Sequence, residues 1–206
     1  LDTICRDVAR TIRYQVWHFG VHGYKPYRAE TICRRKYGDC KDKTILASAM
    51  LKEAGIESWP LLVRSIEPDE RRGPEDRRLA RLSHFNHVIL YVPDQPGLPG
   101  PRFVDTTGDL YAPGAIPLSV QGGAGYVVTP DGGFPVDVPR DPPERCSIAS
   151  KETIWVRAGG GLRVRCDLVE SAGHFAFLDR NFLRNLEYAE YNLRRLQRLQ
   201  GLRATV

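Results

Sequence analysis

The stretch Gly38-Asp39-Cys40-Lys41-Asp42-Lys43, leading into the apolar run Thr44 to Ala54, constrains the fold more than any other part of the chain. Asp39 reads as a helix N-cap, with Cys40 the first helical residue and Asp42 at the third position, the spacing of a capping box. Gly38 loosens the backbone before the cap, and Gly55 offers a left-handed stop at the other end. The helix is thereby bounded on both sides, with a cysteine at its positive pole and two acids suited to the same pole. Such a pole favours a thiolate over a thiol, which makes the sulfur a usable nucleophile. The same residues also fit a small buried cysteine at a helix start, and the stretch by itself leaves both readings open.

The flanking pattern supplies partners for that helix. Leu1 to Val16 reads as a helix, with Ile4, Val8, Ile12 and Val16 on one face. Gly20 to Pro26 is a turn-rich loop, and Ala29 to Lys36 a short helix. In the cysteine helix Ile45, Leu46, Ala49 and Met50 are the expected buried positions. Ser58 to Ile66 reads as a strand with Pro60 near its start, where a missing donor matters least. Glu67 to Arg81, charged and broken by proline and glycine, reads as a long surface excursion. Phe85 to Val92 is the clearest strand, and Arg102 to Asp105 begins the next across a proline- and glycine-rich turn. These two predict an antiparallel hairpin against the cysteine helix, with a further short strand at Gly125 to Thr129. The expected class is α+β.

After Asp131 the composition shifts to proline and glycine, so the expected division is a core over residues 1–131 and an extension over residues 132–206. The extension carries a hairpin, Thr153 to Arg157 and Leu162 to Val169 around Gly159 to Gly161. It ends in a helix, Leu178 to Leu199. Its apolar stripe, Phe182, Leu186, Ala189, Leu193 and Leu196, fits either a coiled-coil seam or a helix lying on a sheet.

Composition narrows the function classes. At 206 residues, 42% hydrophobic and 27% charged, the chain can bury one sizeable core. The formal charge of +5 comes largely from arginine in Arg71 to Arg81 and in the last helix. Acids are interleaved and no nucleic-acid-binding signature accompanies them, so a solvated surface is expected rather than a nucleic-acid partner. No run reaches the roughly 18 to 20 apolar residues of a membrane span, so no transmembrane segment is expected. Leu1 to Arg13 is charged and amphipathic, unlike a signal peptide.

The cysteine count of 5 is odd. Pairing Cys5 with Cys33 and Cys146 with Cys166 would leave Cys40 free, and four reduced cysteines fit equally well. Neither the cysteines nor the histidines have zinc spacing, which argues against a structural zinc or redox role. No calcium-loop pattern is present, and no cofactor is expected.

A thiolate needs a base to carry its proton and a third group to fix that base. Of the 5 histidines, His87 sits inside the clearest strand, on the face of Phe85, Ile89 and Tyr91. Alone it reads as a core histidine. Asp105, at the end of the neighbouring strand in Phe103-Val104-Asp105-Thr106, changes that, because the hairpin can bring it beside His87. Cysteine at a helix start, histidine in one strand and aspartate in the next is the setting of a thiol triad.

These three motifs, Gly38 to Lys43, Phe85-Asn86-His87-Val88 and Phe103-Val104-Asp105, resemble the transglutaminase-like superfamily of papain-fold cysteine enzymes. The Gly-Asp-Cys-Lys-Asp form looks most like the bacterial branch in which this domain follows an uncharacterised N-terminal β-domain. Ile12-Arg13-Tyr14 and Gly23-Tyr24-Lys25-Pro26 are also similar to that branch, and the resemblance extends from Leu1 to about Thr129. It implies a papain-like core, with Cys40 as nucleophile, His87 as base then acid, and Asp105 as the orienting carboxylate. It implies acyl transfer from a protein or peptide amide through a thioester, ending in hydrolysis or transamidation. The backbone amide of Cys40 is one oxyanion donor, and in such enzymes the second lies upstream. Trp17 and Tyr14 are candidates for it, packing being the alternative for each, while Asp39 supports the cap. The resemblance further implies a larger multidomain, exported protein, periplasmic or extracellular. A different class of function also fits: a catalytically idle binding or scaffold domain of such an envelope protein.

Overall fold

A computed structural model describes residues 1–16, 19–66, 81–112 and 114–184. The fold is α+β. Its first compact unit runs from Leu1 to Asp141, and a second begins at Pro142.

The first unit opens with α1 (Asp2–Thr11), shorter than the helix expected to Val16. At Ile12 the backbone turns extended (φ −100°, ψ 108°), and β1 (Arg13–Tyr14) follows. Val8 and Ile12 are buried as the periodicity requires, but Val16 is 42% exposed, because the chain has left the helix before reaching it. α2 (Ala29–Arg35) ends at Lys36, which takes the left-handed conformation at φ 59°, and β2 (Tyr37–Gly38) runs parallel to β1. α3 (Cys40–Glu53) starts immediately after. Its end is a Schellman arrangement: Gly55 at φ +74°, with Gly55 N–H donating to Lys52 at 3.0 Å and Ile56 N–H to Leu51 at 2.9 Å.

Five antiparallel strands form the sheet: β3 (Trp59–Val63), β4 (His87–Val92), β5 (Arg102–Val104), β6 (Ala124–Thr129) and β7 (Gly132–Asp137), in the order β5-β4-β3-β6-β7. On one face Leu61, Val63, Ile89 and Val127 meet Ile116, Val120 and Val138. On the other, Leu90 and Val92 pack with Cys5 of α1 and Leu51 of α3. A third cluster, Val8, Ile12, Ile32, Leu46 and Ala47, joins the three helices. α3 is therefore covered on two sides. Ala47 and Leu51 are buried where Ile45, Ala49 and Met50 are only half-buried, a stripe rotated from the expected one because α1 and α2 claim part of the helix surface.

The first unit extends past Asp131 because Gly132–Asp137 pairs along the whole of β6. Val138 then returns two backbone bonds to the Gly122–Gly123 turn, and Gln121 bonds Asp141. Proline and glycine there serve an edge strand rather than a linker. In the second unit β8 (Ile148–Val156) and β9 (Leu162–Ser171) form the expected hairpin, longer at the end away from its turn, and α4 spans Gly173–Arg184. α4 begins earlier than expected, and Leu186, Ala189, Leu193 and Leu196 lie outside the described residues, as does the charged excursion at residues 67–80. Among the described residues no helix is long and apolar enough to cross a membrane.

Of the two cysteine readings left open by the sequence, the paired one does not hold. Cys5 and Cys33 are both free, one buried and the other exposed, and Cys146 is free as well. Burial raises the Cys5 thiol to about 11, the behaviour of an inert core cysteine.

Candidate active site

Cys40 occupies the first position of α3, and the cap is built as its sequence requires. Asp39 accepts the amide of Asp42 at 3.2 Å through Oδ1, and its Oδ2 pairs with the Lys41 ammonium. The reciprocal half of a capping box is absent. The Asp42 carboxylate instead accepts the Tyr27 amide at 2.9 Å and Arg35 at 2.5 Å, tying the start of α3 to α2. Arg35 is itself held between the rings of Tyr27 and Tyr37, at 3.9 and 4.7 Å. Gly38 matters here for space rather than for looseness. A Cβ at that position would stand 2.7 Å from Cβ of Asp42, and its φ is not among the positive ones.

Lys43, read from sequence only as the end of the motif, is 1% exposed. Its ammonium donates to the carbonyls of Ala9 at 3.0 Å and Ile12 at 2.8 Å, groups left without helical partners where α1 ends. Burial lowers its pKa to about 8, against the opposing pull of Asp105 and Asp109. The same contact holds α1 back from continuing and aims Arg13 and Tyr14 alongside Gly38, so the parallel β1–β2 pair places Tyr14 next to the cysteine turn.

His87 opens β4, paired with Val63 of β3. Asp105 lies one residue past the end of β5, and the hairpin brings the two together with Nε2 of His87 2.8 Å from Oδ2 of Asp105. The other carboxylate oxygen accepts the Thr107 amide at 2.8 Å and its hydroxyl at 2.6 Å, which fixes the orientation of the group. Thr107 escapes notice in the sequence, although Asp followed two residues later by Thr is the spacing of an Asx turn.

The electrostatics follow from this packing. Burial works against the imidazolium, but the charge of Asp105, its hydrogen bond, and then the hydrogen bond and charge of Cys40 raise His87 to about 10. Burial likewise opposes ionisation of Asp105, yet His87 and the Thr107 bonds hold its carboxyl below the usual range. With Nε2 committed to Asp105, Nδ1 is the nitrogen left for the Cys40 sulfur. The Tyr14 hydroxyl is raised well above its ordinary value by desolvation, then by the negative charges of Cys40, Asp39 and Asp105, and it hydrogen-bonds Cys40. It therefore keeps its proton at neutral pH.

The structure thus brings together Cys40, His87, Asp105, Tyr14 and, through the cap, Asp39. Trp17 lies outside the described residues. A cleft of about 510 Å³ opens in front of the sulfur, lined by Tyr14, Tyr24, Cys40, Leu82, Phe85 and His87 among others. That size is ordinary for a ligand site. Among the described residues no group of three or more His, Cys, Asp or Glu is placed to hold a metal ion.

No protein-family model matches the chain, and no curated protein matches it. Among solved structures it is similar to a candidate protease from Parabacteroides distasonis, at 18% identity and a TM-score of 0.49, over 77% of this chain. The chain spans 30% of that protein's length, and a likeness at that level carries no functional argument.

Proposed function

We propose that the Leu1–Asp141 unit is a cysteine-dependent acyl-transfer domain acting on amide or peptide substrates, of the transglutaminase-like kind that its three motifs resemble. One observation carries the reading: an imidazole fixed at 2.8 Å to a buried carboxylate, with its remaining nitrogen toward a cysteine at a helix N-terminus, at the wall of an open cleft. In this reading the Cys40 thiolate attacks the amide carbonyl carbon. The S–C bond forms as the carbonyl π electrons move to oxygen. Collapse breaks the C–N bond, and the departing nitrogen takes its proton from His87. Water or an amine then attacks the thioester, gives its proton to the imidazole, and releases the Cys40 thiolate with an acid or a new amide. Asp105 keeps the ring oriented and its charge balanced throughout.

The oxyanion takes two donors. The Cys40 amide, at the first helical position, has no partner within the helix. The second is the Tyr14 hydroxyl, which remains protonated beside the sulfur.

The test is labelling by a thiol-reactive peptide-amide probe, read by mass. Wild type is labelled at Cys40 in preference to the exposed Cys33, Cys40→Ala loses that fast label, and His87→Ala reacts about 100-fold more slowly. Equal labelling of wild type and Cys40→Ala would overturn the reading. A wild type that labels but turns over no member of a peptide library would favour the idle scaffold.

A further inference from the structure

The walls of the cleft differ in what they leave for a ligand. The charged and amide side chains nearest the sulfur are engaged within the protein. Asp39 holds Lys41 and the Asp42 amide. Asn86 exchanges hydrogen bonds of 2.7 and 2.9 Å with the backbone of Ser65, and His87 holds Asp105. The apolar walls are the reverse: Tyr24 is 78% exposed, Leu82 60% and Val16 42%, and all three line the cleft together with Phe85. Apolar surface left open beside a nucleophile, with the nearby polar groups already paired, is surface that a ligand covers.

Charge points the same way. Asp39 is paired with Lys41 and Asp105 with His87, so neither carboxylate stands as a lone counterion for a basic side chain. We infer that the cleft selects substrates whose acyl-donor residue carries an aromatic or branched aliphatic side chain, seated against Val16, Tyr24, Leu82 and Phe85. This rests on the acyl-transfer reading and adds its substrate class. Apolar pockets discriminate by roughly 10- to 200-fold, which sets the size of the effect.

The experiment measures alkylation of Cys40 by the N-acetyl chloromethyl ketones of phenylalanine, glutamate and lysine, in which sulfur displaces chloride at carbon. The phenylalanyl probe is expected to react at least about tenfold faster than either charged probe. In Leu82→Asp and in Tyr24→Asp, both exposed positions, the phenylalanyl-to-lysyl ratio falls at least about fivefold. Three rates within about twofold of one another, or a ratio unchanged in both variants, would overturn the inference. Iodoacetamide separates the two levels of the argument. If it alkylates Cys40 in preference to the exposed Cys33 while the probe rates are flat, only the side-chain preference fails. If it does not prefer Cys40, the acyl-transfer reading fails and the preference falls with it.

Discussion

His87 shows how much of a residue's chemistry its neighbours set. An exposed imidazole titrates near 6.5, whereas this one, facing the Asp105 carboxylate and the Cys40 sulfur, is raised to about 10. A raised base favours the folded state while it is charged. Its contribution is full below pH 6.5 and is lost as the pH climbs through 10. The lowered Asp105 behaves oppositely, contributing above the ordinary carboxylate range and losing that contribution as acid protonates it. In Asp105→Asn the imidazole is expected to titrate at least about one pH unit lower, measured by NMR of its ring protons, and an unmoved midpoint would contradict the assignment. Asp42 is the second residue whose role is set by contacts. Asp42→Ala strands a half-buried arginine and the Tyr27 amide, and is expected to cost on the order of 3 kcal/mol in urea unfolding. A loss below about 1 kcal/mol would mean that Arg35 finds another partner.

Among the elements, α3 is the one to which the others are fitted. Its boundaries were legible because caps are local chemistry: Asp39 and Gly55 stand where the extra hydrogen bonds are needed. Its buried stripe was not, because two helices and a sheet divide its surface. The end of α1 was equally hidden. Apolar residues continue at helical spacing to Val16, but Lys43, 31 residues beyond Ile12, takes the carbonyls that would otherwise leave the last turn unpaired. Lys43→Met keeps the length of the side chain and removes its donors. It is expected to destabilise the fold by about 2 kcal/mol and to slow Cys40 alkylation, since Tyr14 loses its anchoring strand. Unchanged stability and alkylation would mean that the α1–β1 corner holds without it.

At the scale of the molecule, the division between units falls after Asp141, and this has a measurable consequence. A chain ending at Asp141 is expected to unfold cooperatively and retain preferential alkylation at Cys40. A chain ending at Asp131 loses β7, uncovers the edge of β6 and gives up the buried Val138, and is expected to be several kcal/mol less stable or to aggregate. Equal thermal stability of the two truncations would contradict this division.

The sequence by itself determined the capped helix with its cysteine, the β4–β5 hairpin, and the order Cys40, His87, Asp105, because caps, turns and period-two strands are written in residues close along the chain. Only the tertiary structure decided that His87 and Asp105 meet at 2.8 Å, that Gly38 is required by the bulk of Asp42, and that Lys43 and Thr107 hold the site in place. Those contacts join residues far apart in sequence, or depend on where a neighbouring side chain ends. The physical reason is packing. A buried charge takes whichever partner the fold brings to it, and no local pattern names that partner in advance.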